Sequence, residues 1–342
     1  MEKTSKSPLK SILTIVISLA FAGFFLWLAL RGLDFKVIQQ SLAKANYLWV
    51  LFASVFGLLA YWFRAIRWNL MLEPMGHRIS NSNSLWSISF GYLMNLTIPR
   101  SGELARATAL YGVEKVPVDK SFGTIILERV VDLICMLGFL GLTLLFKYEA
   151  ILSFYENSGV NINPNKIALV LLILILGTVL FFVFKKKLSR LPFLGKVVGF
   201  IDGIFQGITS IFKLKEKGKF ILYTLGIWIC YYFAAYLVCF ALPETSGFTF
   251  ADGFFIIVVG TLGMIIPASG GIGAYNLAMK FGFMALFISV GKSAALGGEM
   301  GLTYSFISLP LQIVIMLVMG LISIPMLAKA RNAAVSDKEF KD

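Results

Sequence analysis

Four short runs of the 342-residue chain place polar chemistry at meaningful spacing. They are Arg64-x-x-Arg67-Trp68, Arg100-Ser101-Gly102-Glu103-x-x-Arg106, Glu128-Arg129-x-x-Asp132, and Pro267-x-Ser269-Gly270-Gly271-x-Gly273 followed by Asn276. A planar guanidinium donates two parallel hydrogen bonds, a geometry that suits phosphate. On a helix Glu128 and Asp132 share a face at i,i+4, and Arg129 can reach Asp132 at i,i+3. The turn ending at Gly102 frees backbone N–H groups at a helix start, whose positive end attracts an anion. Together these features predict an anionic headgroup site formed by Arg100, Arg106 and the Ser101-Gly102 backbone, with Glu103 beside them. Arg64 and Arg67 stand at its mouth, and Glu128, Arg129 and Asp132 form a supporting ion-pair network. The competing reading makes the carboxylate network purely structural, Arg64, Arg67 and Trp68 an interfacial anchor, and Ser269 to Gly273 a tight turn.

These residues are set in an apolar chain. Hydrophobic residues make up 58% and charged residues 14%, with a mean hydropathy of +0.82. That balance excludes a water-soluble globular fold and predicts an all-α integral membrane protein. Stretches near 11–30, 47–70, 122–147, 167–184, 220–241 and 303–327 are each long enough to cross a bilayer, which takes about 20 residues. The first continues unbroken to Leu30 and reads as an uncleaved anchor. Two shorter apolar segments, 84–98 and 253–266, each end in a proline and a Gly-containing turn. Each is followed by a second short helical stretch, 103–112 and 274–290, so both predict re-entrant helical hairpins.

Charge supports this topology. With both termini cytoplasmic and the hairpins counted as no crossings, 23 Lys and Arg fall inside and seven outside, the distribution expected of a multi-pass cell-membrane protein. The excess of 31 basic over 18 acidic residues fits loops facing anionic lipid better than nucleic acid. Cys135, Cys230 and Cys239 lie in apolar runs and His77 is the lone histidine, so no disulfide framework, metal centre or cofactor is expected.

The two hairpin turns match. Pro99 to Ala105 and Pro267 to Gly273 both read P-x-S-G-x-Φ-small, and Lys120-Ser121 is echoed by Lys292-Ser293. This predicts a duplication, with a first repeat at 11–147 and a second at 167–327 within one polytopic domain. Three crossings separate the hairpins, an odd number, so the repeats have inverted topology, as in alternating-access transporters. Between them, apolar positions at helical spacing and Gly195, Gly199, Gly203 and Gly207 predict a cytoplasmic interfacial helix at about 189–214. Phosphate-loop and dinucleotide motifs fail: Leu286 stands where the first needs Gly, and Asn276 where the second does.

The ordered set Arg64-x-x-Arg67-Trp68, Pro99-Arg100-x-Gly102-Glu103-x-x-Arg106, Glu128-Arg129-x-x-Asp132 and Gly270-Gly271-Ile272-Gly273 resembles the flippase-like, lysylphosphatidylglycerol synthase transmembrane-region family over about residues 10–328. The resemblance implies a lipid translocase or lipid-binding membrane protein without the synthase domain of larger relatives, working beside a separate lipid-synthesising enzyme. Asn276 stands where the family often carries Glu, which argues against a proton or cation role for the second hairpin. The leading expectation is therefore a non-enzymatic flippase for an anionic or amphipathic lipid: a phospholipid, an aminoacyl-phospholipid, a glycolipid or a polyprenyl phosphate. A secondary transporter of a small anionic solute is the alternative, and an enzyme acting on a lipid headgroup through Glu103, Glu128 or Asp132 the third.

Overall fold

A computed structural model describes residues 35–98, 100–157, 212, 214–265 and 271–339. Regular structure among them is entirely helical. In chain order the helices are α1 Phe35–Lys44, α2 Tyr47–Leu72, α3 Asn81–Thr97, α4 Gly102–Glu114 and α5 Val118–Phe146, then α6 Tyr148–Asn157, α7 Lys217–Cys239, α8 Phe250–Ile265, α9 Ala274–Ser289 and α10 Ala294–Glu339. Four of them, α2, α5, α7 and α10, are long and apolar enough to cross a membrane. They coincide with the four expected spans that fall on described residues. The expected spans at 11–30 and 167–184, and nearly all of the interfacial helix, lie outside the described residues. The short helices α1 and α6 had no counterpart in the sequence reading, because ten residues carry too little periodicity to stand out.

Local signals set the boundaries. Asn46 caps α2 by accepting from the Leu48 N–H, and Ser80 caps α3 by accepting from the Asn83 N–H. Long stretches of Leu, Ile, Val and Phe with exposed outer faces, such as Leu133, Ile134 and Leu137 on α5 and Leu222, Leu225 and Ile229 on α7, suit helices solvated by lipid rather than by water. Helix α10 runs from Ala294 past Pro310 and Pro325, tolerable in an apolar setting where neighbours re-satisfy the freed carbonyls.

The short helices of each expected hairpin, α3 with α4 and α8 with α9, pack as antiparallel pairs. In the first, Glu114 at the end of α4 accepts from the Ser80 N–H and the Asn83 side chain at the start of α3. At the other end the Gly102 N–H donates to Asn95 Oδ1 at 2.7 Å. Gly91 and Gly102 let the backbones touch: a Cβ on Gly91 would stand 2.7 Å from the Gly102 carbonyl oxygen. In the second, Gly263 of α8 faces Ala274, Tyr275 and Ala278 of α9, and Gly282 of α9 faces Val259. Helix α10 lies against α9 through Gly297 and Gly301 and also packs on α3, so it joins the two hairpins. Small residues at these contacts are how apolar helices gain packing where no hydrophobic driving force separates them from lipid.

Candidate functional site

The centre of the polar network is Glu128 on α5. Its Oε1 accepts from Arg64 Nη1 and lies 3.5 Å from Arg67 Nη2, while its Oε2 lies 3.0 Å from Arg106 Nη2. One helical turn on, Asp132 accepts from Arg64 at 2.9 Å and from Arg67 at 3.0 Å. The spacing that put Glu128 and Asp132 on one face thus serves two arginines of α2, themselves one turn apart. Arg67 also donates to Thr224 Oγ1 of α7 at 3.4 Å. Glu128, Arg64 and Arg67 are at most 3% exposed, so these charges persist in an apolar setting because each is paired.

Arg106 enters from α4 and stacks its guanidinium 3.7 Å from the centre of the Trp68 ring. Trp68, wholly buried, donates its Nε1–H to Thr124 Oγ1 at 2.9 Å. The expected positions of Arg64 and Arg67 at the mouth of a site therefore differ from the observed ones: both lie inside, held by carboxylates one turn apart. Arg129 also pairs elsewhere than expected. It reaches Glu103 at 3.0 Å, while Asp132 on the same face is already taken by Arg64 and Arg67.

The turn of the first hairpin is satisfied largely from within. The Ser101 N–H donates to the Ile98 carbonyl, the Ser101 hydroxyl lies within donating distance of the Ile98 and Met94 carbonyls, and the Gly102 N–H is taken by Asn95. Arg100, held at a positive φ of 63°, turns outward and donates to the Ile265 carbonyl at 2.7 Å. That carbonyl ends α8, so the tip of the first hairpin is bonded to the second, with a cation at the negative end of a helix. The structure thus brings Arg64, Arg67, Arg106, Glu128 and Asp132 together, links Arg129 to Glu103 beside them, and sends Arg100 to the other hairpin.

In the second hairpin, Pro267, Ser269 and Gly270 lie outside the described residues. Gly271 and Gly273 take positive φ values of 76° and 84°, conformations that glycine adopts without penalty. Asn276, buried at the start of α9, accepts from the Gly273 N–H at 2.9 Å and donates to Ser305 Oγ of α10 at 2.7 Å. It therefore takes up the N–H that precedes α9 as Asn95 takes up the one that starts α4.

Between the two hairpins and the spans lies a cavity of about 550 Å³. Each surrounding helix presents one stripe to it: Ala53, Gly57, Tyr61 and Arg64 of α2; Arg129, Asp132, Leu133 and Met136 of α5; Ile256, Ile257, Gly260 and Met264 of α8; Tyr304, Ser308, Leu311 and Gln312 of α10. These are helical intervals of three and four, hence single faces. Arg64, Arg129 and Asp132, with Tyr61, Tyr92 and Tyr231 near them, make one end polar and charged, while the remaining walls are mostly apolar. Sequence reasoning missed this chamber and its tyrosines, since a Tyr within an apolar run gives no signal of facing a cavity. Asn95, which takes up the Gly102 N–H, was missed as well, since an Asn within an apolar run gives no signal of that role. Among the described residues, no group of three or more His, Cys, Asp or Glu is placed to hold a metal ion.

Comparison with known proteins locates the chain. The family described as "Lysylphosphatidylglycerol synthase TM region" matches residues 15–315. A protein named glycosyltransferase AglD from Haloferax volcanii is 25% identical over 316 residues, covering 83% of this chain and 50% of its own length. A UPF0104 membrane protein from Methanocaldococcus jannaschii is 28% identical over 129 residues, covering 37% of this chain and 38% of its own. The chain thus spans half or less of the curated relatives it matches. No solved structure matches it.

Proposed function

The chain belongs to the lysylphosphatidylglycerol synthase TM region family of multi-pass membrane proteins, and on that premise we propose that it moves an anionic amphipathic lipid between membrane leaflets. The observation that carries this reading is the chamber of about 550 Å³, charged at one end and apolar along most of its walls. A phosphate would sit against Arg64 and Arg129 while acyl chains follow the apolar faces. Around it Arg64, Arg67, Arg106 and Arg129 meet Glu103, Glu128 and Asp132, four cations against three anions. The surplus of one positive charge complements a monoanionic phosphodiester. The Nε–H groups of Arg64, Arg67 and Arg106 are buried and donate to nothing among the described residues, so the cluster retains hydrogen-bonding capacity.

The full architecture belongs to the same proposal: six spans, two re-entrant hairpins, inverted repeats at 11–147 and 167–327, and both termini in the cytoplasm of a cell membrane. The contact of Arg100 with Ile265 supports hairpins that dip from opposite sides and meet near the midplane, the arrangement used for alternating access. Export of a monoanionic lipid across an inside-negative membrane gains about 2.3 kcal/mol per 100 mV, so no nucleotide is required. The protein acts here as a carrier rather than an enzyme, receiving lipid from a separate synthesising enzyme. The name of the Haloferax relative is a reason to test sugar-bearing phosphate lipids beside phospholipids.

The test is leaflet exchange of headgroup-labelled lipids in proteoliposomes against protein-free vesicles. Accelerated exchange of at least one anionic lipid is the expected result. Exchange no faster than in protein-free vesicles for every lipid would overturn the proposal, and uptake of a soluble anion instead would favour the solute carrier.

A further inference from the structure

The charged end of the cavity accounts for a phosphate and leaves several neutral polar groups unused. Tyr61 Oη and Trp228 Nε1 are buried, line the chamber and have no hydrogen-bond partner among the described residues. Gln312 of α10 is exposed to the chamber and its amide makes no hydrogen bond among the described residues. One turn earlier on α10, Ser308 Oγ lies 2.9 Å from Tyr275 Oη of α9, a pair that Tyr304 also joins and whose oxygens keep lone pairs with which to accept. Buried polar groups without partners are rare in folded proteins and call for an occupant.

These groups have a common chemistry. An amide, a phenol and an aliphatic hydroxyl both donate and accept, and an indole donates; none carries charge. The charged lining residues among those described are Arg64, Arg129 and Asp132, and Asp132 is already engaged by Arg64 and Arg67. A cationic ligand group therefore has no free carboxylate to meet in the chamber, whereas a hydroxyl meets partners of both kinds. The neutral groups also extend well away from the arginines. Ala53 packs in one cluster with Tyr275 and Tyr304, and it lies on the same stripe of α2 as Arg64, about 16 Å along the helix at its usual rise per residue. A free phosphate ion is too small to touch both ends.

Resting on the lipid-carrier reading above, we propose that the chamber selects phosphodiester lipids whose headgroup carries uncharged hydroxyls, such as a glycerol or a sugar. The phosphate pairs with Arg64 and Arg129, and the hydroxyls pair with Gln312, Trp228 and the Tyr275–Ser308 pair. A site built to hydrogen-bond a hydroxyl disfavours the analogue that lacks it, since its own groups are then left unpaired.

The experiment is native mass spectrometry of the full chain with three lipids of matched acyl chains. Phosphatidylglycerol has the charge and the hydroxyls, phosphatidylmethanol the charge alone, and lysyl-phosphatidylglycerol an added cationic group. Phosphatidylglycerol is expected to bind about tenfold more tightly than either, a difference of about 1.4 kcal/mol. Gln312→Leu should reduce that preference and leave phosphatidylmethanol unchanged, and Gln312→Asp should shift binding toward the lysyl lipid. Both variants alter a chamber-facing side chain without a structural partner, so folding is expected to survive. Equal binding of the three lipids, or an unaltered preference in both variants, would overturn the selectivity. Preference without leaflet exchange would overturn translocation and leave the selectivity standing; exchange without preference would do the reverse.

Discussion

Arg106 lies face-on over Trp68, its guanidinium 3.7 Å from the ring centre, while its Nη2 stands 3.0 Å from Glu128 Oε2. One side chain thus ties the hairpin helix α4 to α2 by stacking and to α5 by charge. The two motifs that hold Trp68 and Arg106 are far apart in sequence and meet here.

Arg106→Lys tests the planar part of that contact. An ammonium keeps the charge but cannot stack as a plane or fork its donors, and the cation–π contribution at a desolvated site is about 2 kcal/mol. The variant is expected to unfold earlier in detergent by a comparable amount, with Trp68→Leu behaving alike. An unchanged midpoint would show that charge alone matters.

Glu128→Gln removes the carboxylate shared by Arg64, Arg67 and Arg106 and leaves Asp132 to serve buried cations alone. Breaking such a pair costs about 3–5 kcal/mol. The folded yield should fall sharply, and the double variant Glu128→Gln/Arg106→Gln should recover part of it by withdrawing one uncompensated charge. Yields that simply add would argue against a shared network.

Two glycines of α4 should respond oppositely to alanine. A Cβ at Gly102 meets the Gly91 carbonyl and the Asn95 amide, whereas one at Gly112 meets nothing within 4 Å. Gly102→Ala is expected to destabilise by about 1–3 kcal/mol, and Gly112→Ala to stabilise by up to about 1 kcal/mol through helix propensity. Thermal midpoints of both variants in one detergent check this.

Arg100→Ala removes the bond from the first hairpin tip to the Ile265 carbonyl. Because Arg100 is exposed, the thermal midpoint should move little. If the two hairpins work as one device, lipid exchange should fall about tenfold or more, and an unchanged rate would make the contact incidental.

The four spans among the described residues and the paired short helices were legible because apolar length and a proline-glycine turn are properties of contiguous sequence. Glu128 and Asp132 were legible as a pair for the same reason, being one turn apart. What they pair with was not. Whether Arg129 turns to Asp132 or to Glu103 depends on which face α4 covers, and the inward burial of Arg64 and Arg67 depends on where α5 crosses α2. The chamber was least visible, since Tyr61, Tyr231, Ser308 and Gln312 come from three helices and become a site only when those helices pack.

The central claim is that lipid passes through the chamber at its charged end, and Arg129 is the residue to test it with. It lines the cavity and its side chain is 47% exposed, so Arg129→Gln spares the buried network around Glu128. Leaflet exchange of headgroup-labelled anionic lipids is measured in proteoliposomes under an inside-negative potential, wild type beside Arg129→Gln. The account predicts exchange by the wild type well above protein-free vesicles and a loss of about tenfold or more in the variant. A variant as fast as the wild type, or folded wild-type protein that exchanges no anionic lipid, would contradict it.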